Sequence, residues 1–241
     1  MKYFGRTVIP PIPVITEEEG IDRKDISMQD FLQEIRGLGV LTVRYLYPNK
    51  EDDMWINLPA MRRVRRMSTS QRMDTFGGGD TTWDDYGSYA GKIERNTYKL
   101  IEKKYILAVI HEEKNKWPIH PEDFGEVAVP YCPGGNFEKV LVYVVDAISK
   151  DPDYCYSKSR WYIDVNHWQI VYNDMFDRKG KLWKCIHQRL YICNEIRYSH
   201  TFEEIDMQAK HASIWEVYGY SENDNPKTIQ FSVDALRTNV R

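Results

Sequence analysis

The sequence predicts a mainly β protein with a minor α component, and three observations carry that expectation. Aromatic residues supply 13 % of the chain, with 17 Tyr and 7 Trp, and they lie beside Val, Ile and Thr in short runs, the composition of pleated, half-buried strands. Successive runs are joined by compact polar turns such as "NKED" at 49 to 52 and "DRKG" at 177 to 180, which suit hairpins. The helical crossovers that parallel βαβ units require are missing from the pattern, so consecutive strands assemble as an antiparallel meander that curls towards a barrel.

Residues 1 to 27 read as an extended lead-in, because Pro10, Pro11 and Pro13 disfavour helix and "TEEEG" is a solvated charge run. "SMQDFLQEIRGLG" (27 to 39) predicts a short helix with Ser27 as N-cap, apolar Phe31, Leu32 and Ile35, and a stop at Gly37. "LGVLTVRYLYP" and "DMWINLP" form a hairpin around "NKED". The segment "RMDTFGGGDTTWDDYGSYAGKI" (72 to 93) combines a mobile triple glycine, Gly77 to Gly79, with one or two helical turns capped by Asp80 or Thr82. "YILAVI" (105 to 110) has strand length, and "KVLVYVVDAIS" (139 to 149), "SRWYIDV" (159 to 165), "HWQIVYNDMF" (167 to 176), "GKLWKCIHQRLYI" (180 to 192) and "HASIWEVYGY" (211 to 220) complete the strands. In the run from 167, Trp168, Ile170 and Tyr172 alternate with His167, Gln169, Val171 and Asn173, which gives a strand one face towards a core and the other towards water or a lumen. One domain from 28 to 241 is the economical organisation.

With 33 basic and 36 acidic residues the formal net charge is −3, which argues against bulk adhesion to nucleic acid or to an anionic membrane. No run approaches the roughly 20 apolar residues that span a bilayer. The N-terminal stretch carries prolines where the apolar core of a secretory signal belongs. Cys132, Cys155, Cys185 and Cys193 contain no C-x-x-C pair, and both two disulfides and free buried thiols are compatible with them.

Chemistry-bearing motifs are few. "NLPAMRRVRRMSTSQR" (57 to 72) gathers Arg62, Arg63, Arg65 and Arg66 around one valine on an irregular or edge strand. Guanidinium groups bind carboxylate or phosphate bidentately, so this stretch is either an anion-binding patch or a set of internal ion pairs with acids such as Asp52, Asp53, Asp80, Asp84 and Asp85. Acids flank it on both sides, which disfavours nucleic acid. "DTTWDD" lacks the ligand spacing of a calcium loop, "FGGGD" is followed by no Lys-Ser or Lys-Thr, and neither H-E-x-x-H nor G-x-S-x-G occurs. No metal, cofactor or catalytic group is therefore predicted. The aromatic surplus on curling strands can line a cavity for an apolar ligand, or simply fill a core.

Residues 36 to 86 resemble the bacterial domain of unknown function 1329 family and the related lipoprotein-sorting proteins of the LolA/LolB superfamily. The family stretch W-x-Y-L-P-A-L-R-R-V-R-R is matched by Trp55, Leu58, Pro59, Ala60, Arg62, Arg63, Val64, Arg65 and Arg66, and G-S-D-x-[TS]-x-E-D by Gly79, Asp80, Thr82 and Asp85. "RWYIDVNHWQIVYNDMFDRKGKLWK" (160 to 184) is similar to a second family segment, with His167 and Phe176 departing from it. The resemblance implies an antiparallel half-barrel with short helices against its concave face, an apolar inner surface, and residence in the periplasm or at the outer membrane. Relative to the family the chain starts late, so the resemblance implies an open sheet edge in a split-gene product, a shortened chain, or a variant whose sheet a partner completes.

The functional expectation is a non-enzymatic binding or carrier protein for a lipid or other hydrophobic ligand, which hands its cargo to an envelope transporter or outer-membrane partner. The alternative is an interaction subunit with a filled interior, whose open sheet a partner chain completes. Trp55, Trp83, Tyr86 and Trp168 are the aromatic candidates for contact with ligand or partner, together with Arg62, Arg63, Arg65 and Arg66; Asp80, Asp84 and Asp85 are the candidates for structural ion pairs.

Overall fold

The computed structural model describes residues 2–3, 20–28, 37–61, 63–75, 78–111, 136–193, 196–216 and 230–238. The chain forms two compact units, Met1–Arg72 with Ser221–Arg241, and Met73–Tyr220. Each is built on an antiparallel sheet whose strands pair in chain order, as short turns between alternating runs dictate.

In the first unit β1 (Lys2–Tyr3), β2 (Ile21–Met28), β3 (Gly39–Tyr45), β4 (Asp53–Leu58) and β5 (Arg63–Arg66) form a five-stranded meander. The predicted hairpin is β3 with β4, which sets Val43 opposite Asp53 and Gly39 opposite Asn57. Acids at its turn neutralise nearby arginines: Arg44 Nε donates to Asp52 at 3.0 Å, and the Arg72 guanidinium lies 3.8 Å from the same buried carboxylate. Helix α1 (Val233–Thr238) is capped by Ser232, whose Oγ accepts the Ala235 N–H at 3.1 Å. Leu236 and Phe231 then pack on Leu41 with Ile26, Met28, Trp55 and Val64.

In the second unit β6 (Asn96–Ala108), β7 (Glu138–Ser149), β8 (Lys158–Asp164), β9 (Ile170–Phe176), β10 (Leu182–Cys193), β11 (Ile196–Asp206) and β12 (His211–Glu216) form a seven-stranded meander. The "DRKG" turn joins β9 to β10 as predicted: Gly180 takes a φ of +78°, which costs glycine nothing, and Asp177 accepts the N–H groups of Lys179 and Lys181. Register places Leu100, Val145, Trp161, Asn173, Ile186, Glu204 and Ser213 opposite one another in a single row across all seven strands. Directly paired residues share a face of the sheet, so this row defines one face; positions two residues away along a strand belong to it too, except past a bulge such as the one between Leu100 and Glu102, after which Lys103, Tyr105 and Leu107 carry the face on β6.

The mainly β, antiparallel expectation holds, with the strands shared between two sheets; two local expectations change. Ile21–Met28, expected as lead-in, is a strand: its charged sequence hid the pairing of Lys24 with Val43 and Ile26 with Leu41. Ser27 therefore lies in β2 and is no helix cap, while the rest of the predicted helix, 29–36, falls outside the described residues. Strand β9 begins at Ile170, because Asp164 closes a turn over 164 to 169 by accepting from the backbone N–H of Asn166 and from His167 Nδ1; along β9, Val171, Asn173 and Met175 are the buried set.

The α1 seal yields a prediction. Leu236 is fully buried, so Leu236→Ala should lower stability by about 2–5 kcal/mol in urea denaturation. A loss under about 1 kcal/mol would remove Leu236 from the core of its unit.

Candidate functional site

The segment Asp80–Lys92 lies across the polar half of the seven-strand face and is bound there at every step. The Asp80 carboxylate accepts from Ser213 Oγ at 2.9 Å and lies 2.7 Å from His211 Nδ1, while Trp215 Nε1 donates to Thr81 Oγ1 at 2.9 Å. Asp85 accepts from Thr82 Oγ1 at 2.7 Å and from the Tyr156 hydroxyl at 2.6 Å; Tyr154 donates to Asp84 at 3.2 Å. Gln188 donates to the Gly87 carbonyl at 2.7 Å and Asn173 to the Ser88 carbonyl at 2.9 Å. Ser88 has a φ of +76°, a strained backbone for a residue with a Cβ; the bonds from Asn173 and Gln188 hold it there.

Beneath this segment Lys184, 3 % exposed, donates to Glu204 at 3.0 Å and to the Asp80 carbonyl, with Asp85 at 3.9 Å. Burial, reinforced by Asp85 and opposed by Lys184, pushes the Glu204 carboxyl up to about 7. Asp85 is also raised, chiefly by burial, against the bonds from Tyr156 and the charge of Lys184. Burial likewise pushes the Cys155 and Cys185 thiols up to about 12; both are free, and thiols held so high are poor nucleophiles. Cys132 lies outside the described residues. Among the described residues no three His, Cys, Asp or Glu side chains converge as a metal site demands, and no helix is long and apolar enough to cross a membrane.

The other half of the same face is open. Tyr89 at the end of the covering segment and Tyr98 on β6 flank the Trp161 ring at 4.9 and 5.4 Å. Beyond them, register puts Leu100, Lys103, Tyr105 and Leu107 of β6 beside Leu141, Tyr143 and Val145 of β7. Leu100 is 61 % exposed, Tyr105 58 % and Leu107 63 %. Trp168, 71 % exposed, extends the strip by stacking on Tyr143 at 5.7 Å. Lys103 Nζ lies 5.3 Å from the Tyr143 ring and Lys139 Nζ 4.2 Å from the Tyr105 ring, within cation–π reach. Contiguous exposed apolar surface of this kind makes the strip a candidate binding surface.

The family model described as "Protein of unknown function (DUF1329)" matches residues 28–237. The chain belongs to the DUF1329 family. No curated protein sequence matches it. Among solved structures it is similar to a DUF1329 family protein from Desulfovibrio piger, 17 % identical, with a TM-score of 0.64 over 88 % of this chain and 75 % of that one. It is also similar to a domain from Vibrio parahaemolyticus with a proposed role as an outer membrane lipoprotein-sorting protein (20 % identity, TM-score 0.61, 92 % and 80 % covered). A LolA superfamily protein from Nitrosomonas europaea matches at 15 % identity and a TM-score of 0.55, over 88 % and 77 %. These likenesses give the DUF1329 chain a LolA-like fold, mainly β with open antiparallel sheets and few helices.

The predicted site residues of this DUF1329 chain separate into different places. Trp168 stands on the open strip. Tyr86 is half exposed, with its ring edge-on to Phe202 at 5.4 Å and to Trp215 at 6.5 Å, and Trp83 is half buried in the covering segment. Trp55 packs in the first unit against Leu41, Val43 and Ile21, which accounts for it as core. Arg66 pairs with Asp53, Arg63 and Arg65 are exposed on β5, and Arg62 lies outside the described residues. The Asp80 carboxylate lies 2.7 Å from His211 Nδ1 and Asp85 3.9 Å from the Lys184 ammonium, partners within their own unit in place of the arginines. Asp85 is not a side-chain cap: it accepts from Thr82, and the turn at Tyr86–Ser88 has no side-chain cap.

Lys184, Glu204, Tyr156 and the β6 strip were missed. Alternation carried the signal, since Lys184, Ile186 and Gln188 share one parity on β10, but a lysine at an inward position reads as an error until its acid partners are known.

Two predictions follow from the Lys184 cluster. Lys184→Met leaves two buried carboxylates without their cation and should destabilise by about 3–5 kcal/mol at neutral pH, measured by chemical denaturation. For Glu204, the folded pKa of about 7 lies above its ordinary 4.5, so the folded state holds the extra proton. Its stabilising contribution is complete below about pH 4.5 and is lost as pH rises to about 7. The stability of the parent minus that of Glu204→Gln should therefore fall across this window and level off above it; a flat difference would contradict a buried, proton-holding Glu204.

Proposed function

We propose that this protein is a non-enzymatic binding or carrier protein for a lipid or other hydrophobic ligand in the bacterial cell envelope, periplasmic or associated with the outer membrane. The observation that carries the reading is the open strip of Leu100, Tyr105, Leu107, Tyr143 and Trp168 on a sheet face whose remainder is covered. Burying a hydrocarbon chain there gains about 0.8 kcal/mol per CH₂ group without any catalytic residue. The LolA-like fold and the lipoprotein-sorting role proposed for the Vibrio relative support the class and the compartment. A membrane transporter or outer-membrane protein is the natural recipient of such cargo.

A second reading, an interaction subunit completed by a partner chain, is favoured by one observation: Asp80–Lys92 fills half of the seven-strand face with a hydrogen-bonded polar network. Native mass spectrometry of protein purified from its host separates the two. A co-purifying lipid or hydrophobe supports the carrier, and a ligand-free protein found only in a stoichiometric complex supports the subunit. For the carrier, a fluorescent fatty acid should bind the purified chain, and the double replacement Leu100→Asp, Leu107→Asp should weaken it at least about tenfold with an unchanged melting temperature. Unchanged affinity would move the binding surface elsewhere.

A further inference from the structure

The strip has a composition that an acyl-chain groove does not need. Its aliphatic members Leu100 and Leu107 lie on β6, its aromatic members Tyr105, Tyr143 and Trp168 surround them, and Lys103 and Lys139 stand among the rings. Its β6 and β7 members bear no carboxylate: register places Glu102 opposite Val144 and Glu138 opposite Ala108, on the other face, and Asp146 is paired there with Arg160 at 2.7 Å. An acidic chain thus presents a surface that is apolar, aromatic and locally cationic.

We propose that this strip docks the protein on an anionic lipid bilayer. Tyrosine and tryptophan favour the membrane–water boundary, leucines on an exposed face enter the acyl border, and each lysine near the surface gains from anionic headgroups. The cation–π contacts hold Lys103 and Lys139 at the level of the rings, so their ammonium groups meet headgroup phosphates while the leucines sit deeper. Trp168 is offered outward by the turn that buried Asp164 closes, so the aromatic anchor is fixed before docking. The proposal rests on the reading of the strip as a hydrophobe-binding surface and names the bilayer as its occupant.

Sedimentation of the full chain with vesicles tests this, using phosphatidylcholine alone and phosphatidylcholine mixed with phosphatidylglycerol. Binding should appear with the anionic vesicles and weaken with added salt. Lys103→Gln with Lys139→Gln should reduce it roughly thirtyfold, and Trp168→Asn, a residue that tolerates the φ of +57° at this position, roughly tenfold. These substitutions lie at exposed positions, and circular dichroism and melting temperature verify folding. Failure to bind vesicles while the fluorescent fatty acid still binds overturns docking and leaves the carrier reading standing; failure with both overturns both. Vesicle binding that the lysine and tryptophan variants retain removes the strip as the surface, and concentration-dependent self-association that these variants abolish, without vesicle binding, assigns it to a protein partner instead.

Discussion

Lys184 is buried between two carboxylates, Glu204 across the sheet and Asp85 from the covering segment, and the arrangement of the seven-stranded unit follows from that unequal match. One ammonium and two carboxylates leave a negative charge that a buried site tolerates poorly. The response is distributed: Tyr156 and Thr82 donate to Asp85, while Glu204 keeps its proton up to about pH 7. Each of these partners comes from a different part of the chain, so the cluster forms only when segment 80–92, the β8 approach, β10 and β11 are all in place. A buried polar network of this kind specifies a unique arrangement because any displaced member leaves its partners unsatisfied.

That constraint also explains why one sheet face is divided. The covering segment follows the polar side chains from Ser213 to Asn173 and ends where Tyr89 meets Trp161. Past Trp161 the row offers Val145 and Leu100, with no donor or acceptor to hold a further turn of chain. The segment stops where the hydrogen-bonding side chains stop, and the apolar remainder stays uncovered. The open strip and the filled network are therefore two consequences of one pattern written along the row.

Much of this fold was legible because turn chemistry and period-two alternation are local. The β3–β4 hairpin, the "DRKG" turn, β7 to β10, β12 and the end of β6 follow from them directly, whereas β11 and the first part of β6 carry no such plain signal. The first sheet was harder, since β2 is charged along most of its length and its hydrophobic partners lie across the sheet from it. The polar cluster was illegible for a different reason: Lys184, Asp85 and Glu204 are about a hundred and twenty residues apart at the extremes, and only the register of β10 with β11 brings two of them together. Trp168 was recognisable as a candidate by type, but its exposure depends on a turn closed by Asp164, which alternation alone assigned to strand.

The concentration of arginine at 62 to 66 in an acidic chain resolves into separate tasks. On β5 the parity of the strand sends Val64 into the core beneath α1 and sets Arg66 against Asp53, so one guanidinium neutralises an acid that the hairpin turn has half buried. Arg63 and Arg65 share the opposite parity and stay in water at the outer strand of the five-stranded sheet, where charge discourages indiscriminate pairing of an open edge. Arg72, beyond the strand, closes on Asp52 together with Arg44. A stretch that reads in sequence as one anion site is thus spread over two carboxylates, a core boundary and an exposed edge. The contacts of Arg66 and Arg72 and the exposure of Arg63 and Arg65 each have a structural reason at a sheet edge, so this long family motif speaks to fold before it speaks to any ligand.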